Sequence, residues 1–352
     1  MKKIIALILA MLMMLSLAAC GTQKTEPAAA AEPTEPTEAA EPAEPADTPI
    51  TLKVSFAETQ GDPKYDAMLA FKDYVEENSE GSITIELYPG NELGANADVC
   101  ESITQGANII LSNAGDGLGD YGDPNFTAVG IFYTFQSADE VNKFNETDLF
   151  KEMCANVAAN GVTVLSMNWV TTPRQIMSVK PLECYEDLAD VLVRVPASTY
   201  ATFFSAAGAS PVTMPFADVY TGLETGLVEA VEAPLGTLCA YNLFEVAKYV
   251  SISNHCLAPA LLCMNTDIFN SLSEKQQNAL VEGSEYAGDL YTQICADTTA
   301  DYRATMEANG VTFIEWTDAD IEKMVAAAKE VYAAYPAMDS DIYEQIMASI
   351  GK

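Results

Sequence analysis

Val191-Leu192-Val193-Arg194-Val195-Pro196 reads as a short apolar strand with one charge planted in it, inside a longer stretch, Asn168 to Pro234, that organises the chain. An unpaired charge in such a run is costly. The chain carries 51 Asp and Glu against 17 Lys and Arg, and only three of the 17 are arginines: Arg174, Arg194 and Arg303. Since most cations here are lysines, an arginine points to a task lysine does not perform. A guanidinium is kept in apolar surroundings when its planar fork grips a carboxylate or phosphate through two parallel hydrogen bonds. Arg194 and Arg174 are therefore the candidate anion-binding residues. For Arg303, an ordinary ion pair is the expectation.

Outward from this stretch, strands and helices alternate. On the N-terminal side the pattern predicts strands at Leu52–Phe56, Ser82–Tyr88, Asn108–Ser112, Thr127–Phe132 and Val162–Trp169. Between them lie helices at Pro63–Asn78 and Asn96–Gln105 and helical text from Asp139 to Asn160. A second series follows: strands at Gln175–Lys180, Val191–Val195, Pro211–Met214, Leu227–Glu232 and Lys248–Ser253, with helices near Tyr185–Leu188, Ser198–Ala207 and Phe216–Thr225. Leu257–Asn265 is a strongly apolar strand that returns the chain to the first series. The fold class is α/β, and 352 residues suffice for two lobes with separate cores. In such sheets ligands sit beyond the carboxyl ends of the strands. That rule points to the loops at Ala57-Glu58-Thr59, Gly94-Ala95-Asn96 and Asn113 to Asp116.

Ser273 to Gln276 spells a capping box, and no proline follows until Pro336. Apolar residues recur at helical spacing from Leu280 to Met306, so one helix reaching Asn309 would be roughly 50 Å long. Such a helix can brace both lobes. Val311–Trp316 and a helix at Asp318–Ala334 follow.

The N-terminus reads as an export signal: Lys2 and Lys3, an apolar run from Ile4 to Leu17, then Leu17-Ala18-Ala19-Cys20-Gly21, a lipobox. The expectation is a lipoprotein signal peptide with its lipobox over residues 1–20, the cut falling just before Cys20, which keeps the lipid. Residues 21–49, built on Glu-Pro, Ala and Thr, read as a disordered spacer. A formal net charge of −34 argues against nucleic acid and against electrostatic membrane contact, leaving lipid on Cys20 as the membrane link. Seven further cysteines, an odd number without Cys-x-x-Cys, indicate neither a disulfide framework nor a zinc site. The Gly-rich run Asn113–Asp120 lacks Gly-Lys-Ser/Thr and calcium-loop spacing. Neither metal nor cofactor is expected.

From Arg174 to Met264 the chain resembles the solute-binding subunits of tripartite ATP-independent periplasmic (TRAP) transporters, DctP-like type. The resemblance rests on Arg174-Gln175, Pro181 through Asp187-Leu188 and Val193-Arg194-Val195-Pro196. Further along it rests on Gly208-Ala209-Ser210-Pro211, Phe216-Ala217-Asp218-Val219-Tyr220, Leu223 through Glu229, Glu232-Ala233-Pro234-Leu235 and Ser253-Asn254-His255. Leu87-Tyr88-Pro89 and Leu93-Gly94 match the family's N-terminal half more loosely.

The resemblance implies a two-lobed periplasmic-binding-protein-like fold that closes on a small organic acid and delivers it to the membrane subunits of an ion-gradient-driven TRAP permease. A monomer is expected, and the lipobox makes it exported and lipid-anchored on the outer face of the cytoplasmic membrane. Lobe I would comprise residues 50–171 and 258–298, and lobe II residues 172–257 and 299–352. Arg194 corresponds to the family's carboxylate clamp, Arg174 to its other pocket arginine and Phe216 to its pocket aromatic. Where the family usually has an asparagine that touches the ligand, this chain has Ala233, which favours a less polar acid. Glu232 either buttresses an arginine or contacts the ligand. Trp169, Phe216 and Tyr220 are candidates for an apolar wall. Asn96, Asp116, Asn168 and Ser198 are placed near the crevice by strand ends and loose alignment. His255, the sole histidine, lacks the partners of a catalytic base and reads as a packed hinge residue. Two other classes stay open: a binding lipoprotein for an ATP-driven importer or sensor, and an enzyme, for which no nucleophile elbow, metal triad or nucleotide fingerprint speaks.

Overall fold

The computed structural model describes residues 47–352, so the signal peptide, Cys20 and most of the spacer lie outside the described residues. The molecule has two lobes, each built on its own sheet. In chain order the strands are β1 (Ile50–Ser55), β2 (Ile83–Tyr88), β3 (Ile109–Ala114), β4 (Val162–Trp169), β5 (Arg174–Ser178), β6 (Leu192–Val195), β7 (Ser210–Thr213), β8 (Ala230–Pro234), β9 (Tyr249–Ile252), β10 (Ala260–Asn265) and β11 (Thr312–Glu315). The first sheet runs β2-β1-β3-β10-β4 and the second β11-β9-β5-β8-β6-β7. Both are mixed. β10 enters the first sheet antiparallel to β3 and β4, and β5 lies antiparallel to β8 and β9 in the second.

Helix Pro63–Asn78 starts where the sequence predicts, because Asp62 accepts from the Lys64 amide and Pro63 opens the first turn. It buries Met68, Phe71 and Val75 against the first sheet. The long helix spans Glu274–Ala308, 35 residues, and both halves of its capping box form. Gly283 meets Phe71 and Val75 in the first lobe, while Gly236 of the second lobe abuts Tyr302. The helix therefore touches both lobes.

Thr127–Phe132 is not a strand. The chain makes a 3-10 helix over Pro124–Gly130, with Asp123 capping it through the Asn125 amide. Its Val, Ile and Phe residues serve burial rather than a ladder: Phe132 stacks on Phe203 of the second lobe at 3.9 Å. Tertiary packing has overridden β propensity here. Leu227–Glu232 also shifts, the strand occupying Ala230–Pro234. Among the described residues no helix is long and apolar enough to cross a membrane, and the seven described cysteines are free thiols.

Candidate functional site

Strand register decides where the charged residues point. Arg174 pairs with Pro234 and Ile176 with Glu232, so Arg174 and Glu232 share one face of the second sheet. Arg194 pairs with Val231, so it shares the opposite face with Val231 and Ala233. Both arginines stand near the carboxyl ends of β6 and β8, yet on opposite faces.

Their partners differ accordingly. Glu232 is fully buried and takes Arg174 in a bidentate grip: Nη2 donates to Oε1 at 2.8 Å, Nε donates to Oε2, and Nη2 also reaches the Glu232 carbonyl at 3.1 Å. His255 Nε2 lies 3.3 Å from the same carboxylate, and Ser253 Oγ lies 2.8 Å from His255 Nδ1. The Arg174 guanidinium also lies 5.2 Å from the Tyr200 ring centroid. Burial opposes both charges, but Glu232 holds the Arg174 guanidinium above its ordinary value. Burial likewise pushes the Glu232 carboxyl up, and the charge of Arg174 with the His255 hydrogen bond outweighs it, leaving the carboxyl low. Burial pulls His255 down, so the imidazole is neutral at pH 7. Glu232 thus neutralises Arg174 within the protein, while the Arg174 side chain stays 21 % exposed and its Nη1 carries no hydrogen bond there.

Arg194 is not satisfied. It is 4 % exposed, and its Nε donates to the Met214 carbonyl at 2.9 Å. Its guanidinium lies 4.9 Å from the Phe216 centroid. Among the described residues no carboxylate pairs with it, and its terminal nitrogens carry no hydrogen bond within the protein. Those nitrogens are also not among the sealed, unpartnered polar atoms. Burial, named first among the causes, lowers its pKa. A guanidinium held on an aromatic face with two nitrogens unused is equipped to take an anion bidentately.

Phe216 meets Tyr241 edge to face at 4.6 Å. Tyr241, 49 % exposed, lines a hollow of about 640 Å³ between the lobes. The first lobe contributes Glu58, Asp62 and Lys64, the second Pro234 and Thr237, and the long helix Tyr291 and Tyr302. Lys64 is tied to Glu58 at 2.7 Å and lies 5.4 Å from the Tyr291 centroid.

The other residues singled out by sequence fall in several places. Tyr220 is half-buried, its hydroxyl donating to Glu245 at 2.9 Å, and Ser198 is exposed at the start of helix Ser198–Ala206. Asn96 donates to Asn113 at 3.0 Å. Asp116 lines a different hollow of about 600 Å³ with Asp120, Thr127 and Tyr335. Three are buried. Trp169, 1 % exposed, packs in the first lobe's core, where its Nε1 donates to Ser166 at 3.3 Å. Asn168 faces the long helix, donating to the Glu285 carbonyl at 2.7 Å and Asp289 at 2.8 Å. Ala233, 1 % exposed, packs with Met177 and Val231. Pleat alternation puts Ala233 on the Arg194 face of the sheet, opposite to the face of Pro234 and Arg174. Arg303, as expected, pairs with Glu307 and Glu315.

Glu58 was legible as a strand-end loop residue. Tyr291 and Tyr302 carried only the helical periodicity that also marks core, and Tyr241 gave no signal because the short helix before it, Leu235–Ala240, is too brief to show a period.

Residues 54–338 match the model of the bacterial extracellular solute-binding protein family 7, DctP. The chain is 28 % identical over 272 residues to the 2,3-diketo-L-gulonate-binding periplasmic protein of Escherichia coli, covering 77 % of this chain and 82 % of that one. A TRAP periplasmic solute binding protein from Fusobacterium nucleatum with bound sn-glycerol-3-phosphate superimposes with a TM-score of 0.74 at 26 % identity, over 85 % of this chain and 96 % of that one. One from Ochrobactrum anthropi with bound L-fuconate gives 0.72 at 27 % identity, over 86 % of this chain and 100 % of that one. With two lobes, an anion-ready arginine at a strand end and a match over most of its length, the chain belongs to the family 7 (DctP) bacterial extracellular solute-binding proteins.

Proposed function

We propose that this protein is an extracytoplasmic receptor for a small organic acid, which it encloses between its lobes and passes to a TRAP permease. The observation that carries the reading is the contrast between the two arginines. Arg174 is charge-paired bidentately with Glu232, whereas Arg194 has no carboxylate partner among the described residues and keeps two nitrogens unused on the face of Phe216. Oxyacids bound by relatives, such as L-fuconate, present the group such a fork fits. Glu232 then serves as a buttress for Arg174 rather than as a ligand contact, and Phe216 and Tyr241 form the apolar side of the site. The lobes divide at residues 50–171 with 258–298 and 172–257 with 299–352, in keeping with strand membership of the two sheets. Lipid on Cys20 would hold the receptor to the outer face of the cytoplasmic membrane, where a monomer can meet its permease. The reading is of a receptor rather than an enzyme: the sole histidine is sealed in the Arg174 network and is 0 % exposed.

The test is thermal unfolding of the purified protein across a panel of organic acids, with each mixture assayed for product. Stabilisation by an acid without turnover is expected, and Arg194→Lys should weaken that acid at least tenfold, because the fork is lost while the charge stays. Undiminished affinity in Arg194→Lys, or product formation, overturns the reading.

A further inference from the structure

Cys100 and Cys263 are far apart in sequence but meet inside the first lobe. Cys263 lies on β10, between Leu111 of β3 and Val164 of β4. Pleat alternation sorts the side chains of this strand: Leu261 and Cys263 join one core, Leu262 and Met264 the other. Asn265 shares the Cys263 face, and its Nδ2 donates to the Ile103 carbonyl at 2.9 Å. That bond seats the helix Asn96–Thr104 on β10. Cys100 and Ile103, three positions apart, share one face of the helix and enter the same core as Cys263. The two thiols are accordingly hydrogen-bonded to each other. Among the described residues no other two thiols are joined in this way. Burial pushes Cys154 up to about 12 and Cys256 to about 11. Cys100 departs from that pattern, because the hydrogen bond from Cys263, aided by one to Tyr121, holds it below the ordinary thiol value against burial. The same bond and burial raise Cys263. Cys100 is therefore the thiolate-forming member, Cys263 keeps its proton, and Tyr121 is half-buried, so Cys100 touches a residue that reaches solvent.

We propose that Cys100 and Cys263 form a redox site, a dithiol that a disulfide donor closes to a cystine within the first lobe, with Cys100 attacking and Cys263 resolving. The Cys100 thiolate attacks one sulfur of the donor RSSR, forming a mixed disulfide and expelling RS−, which takes up the proton Cys100 released. Cys263 then attacks the Cys100 sulfur and expels the second RS−, which takes up the Cys263 proton. Two protein thiols are oxidised and one donor is reduced to two RSH. The chain belongs to an extracellular family, and disulfide donors act outside the cytoplasm. The bond would fasten the helix Asn96–Thr104 to β10, beside a contact whose partners, Ile103 and Asn265, stand 162 residues apart. Both cysteines belong to the first lobe, so the cystine leaves the two lobes free to move against each other.

The test is incubation of the purified, reduced protein with dipyridyl disulfide at neutral pH, then blocking of the remaining thiols with N-ethylmaleimide in denaturant and peptide mapping without reduction. The peptides carrying Cys100 and Cys263 should be recovered joined, at least tenfold more abundant than any other cystine. Cys263→Ser should trap the donor on Cys100, whereas Cys100→Ser should leave Cys263 unmodified at least tenfold longer. A wild type in which Cys100 and Cys263 both take maleimide although the partly exposed Cys184 has reacted overturns the proposal. So does donor capture by Cys263 in Cys100→Ser as fast as by Cys100 in Cys263→Ser.

Discussion

Replacing Arg174 and Arg194 separately with methionine should give opposite phenotypes, although the two are the same residue type, twenty positions apart, at one end of one sheet. Arg174→Met removes the bidentate donor from Glu232, which is 0 % exposed and keeps only a neutral His255 beside it. A buried ion stripped of its partner costs about 3–5 kcal/mol. The penalty depends on pH with a definite sign. In the wild type the Glu232 carboxyl is held low, so its contribution is present above the ordinary carboxylate range near pH 4.3 and is lost only as pH falls through the depressed value. In Arg174→Met the His255 hydrogen bond alone is left to oppose burial, so the carboxyl rises and protonation relieves the penalty as the solution is acidified. The gap between the two proteins should be widest at neutral pH and narrow toward acid. Arg194 has no acid to abandon, and burial already works against its charge. Arg194→Met should therefore change stability by less than about 1 kcal/mol while abolishing acid binding. Urea unfolding followed by circular dichroism at pH 5 and pH 7.5, together with ligand titration, measures all of this. Equal losses of stability in the two variants, or an Arg174→Met penalty that grows in acid, would refute the division into a structural and a binding arginine.

Other perturbations address the frame around the site. His255 is held below its ordinary value, so as pH falls under about 6.5 the unfolded chain takes up a proton that the native protein refuses. Stability should then fall by up to about 1.4 kcal/mol per pH unit, and His255→Gln should flatten that slope between pH 6.5 and 5; an unchanged slope would show that the histidine does not titrate differently on folding. Gly288→Ala would place a methyl 2.3 Å from Asn168 Oδ1. Loss of about 1–3 kcal/mol in chemical unfolding is expected, and no loss would mean the helix is not seated there. Ala233→Asn would bury an amide in a packed sheet face, at about 1–3 kcal/mol; an undisturbed unfolding midpoint would place that position at the open cleft instead.

Much of the frame is written in local sequence. Pro63–Asn78 and the start of Glu274–Ala308 carry their own caps, and Val162–Trp169 and Tyr185–Leu188 occupy the predicted residues. Thr127–Phe132 misleads because β-branched and aromatic residues buried between lobes look like strand residues until the absence of a neighbouring strand is known. Helices Leu235–Ala240, Thr266–Ser271 and Ile342–Ser349 are too short to announce a period. For the site, composition marks the arginines as unusual but does not tell them apart. Glu232 lies 58 residues from Arg174 in sequence, and only the pairing of β5 with β8 brings it under that guanidinium. The family's asparagine position suggests a pocket role for Ala233, and only the register shows that this position shares the Arg194 face of the sheet, packed with Met177 and Val231.

The Glu274–Ala308 helix also constrains how the receptor can gape. Gly288 is pinned by Asn168 in one lobe and Tyr302 by Gly236 in the other, about 21 Å apart along a rigid rod. A spindle of fixed length forbids the halves from sliding along it, though it lets them swing around it. Distances between probes placed beside those two anchorages should stay constant whether or not a guest is bound, while probes at the far rims of the mouth should separate.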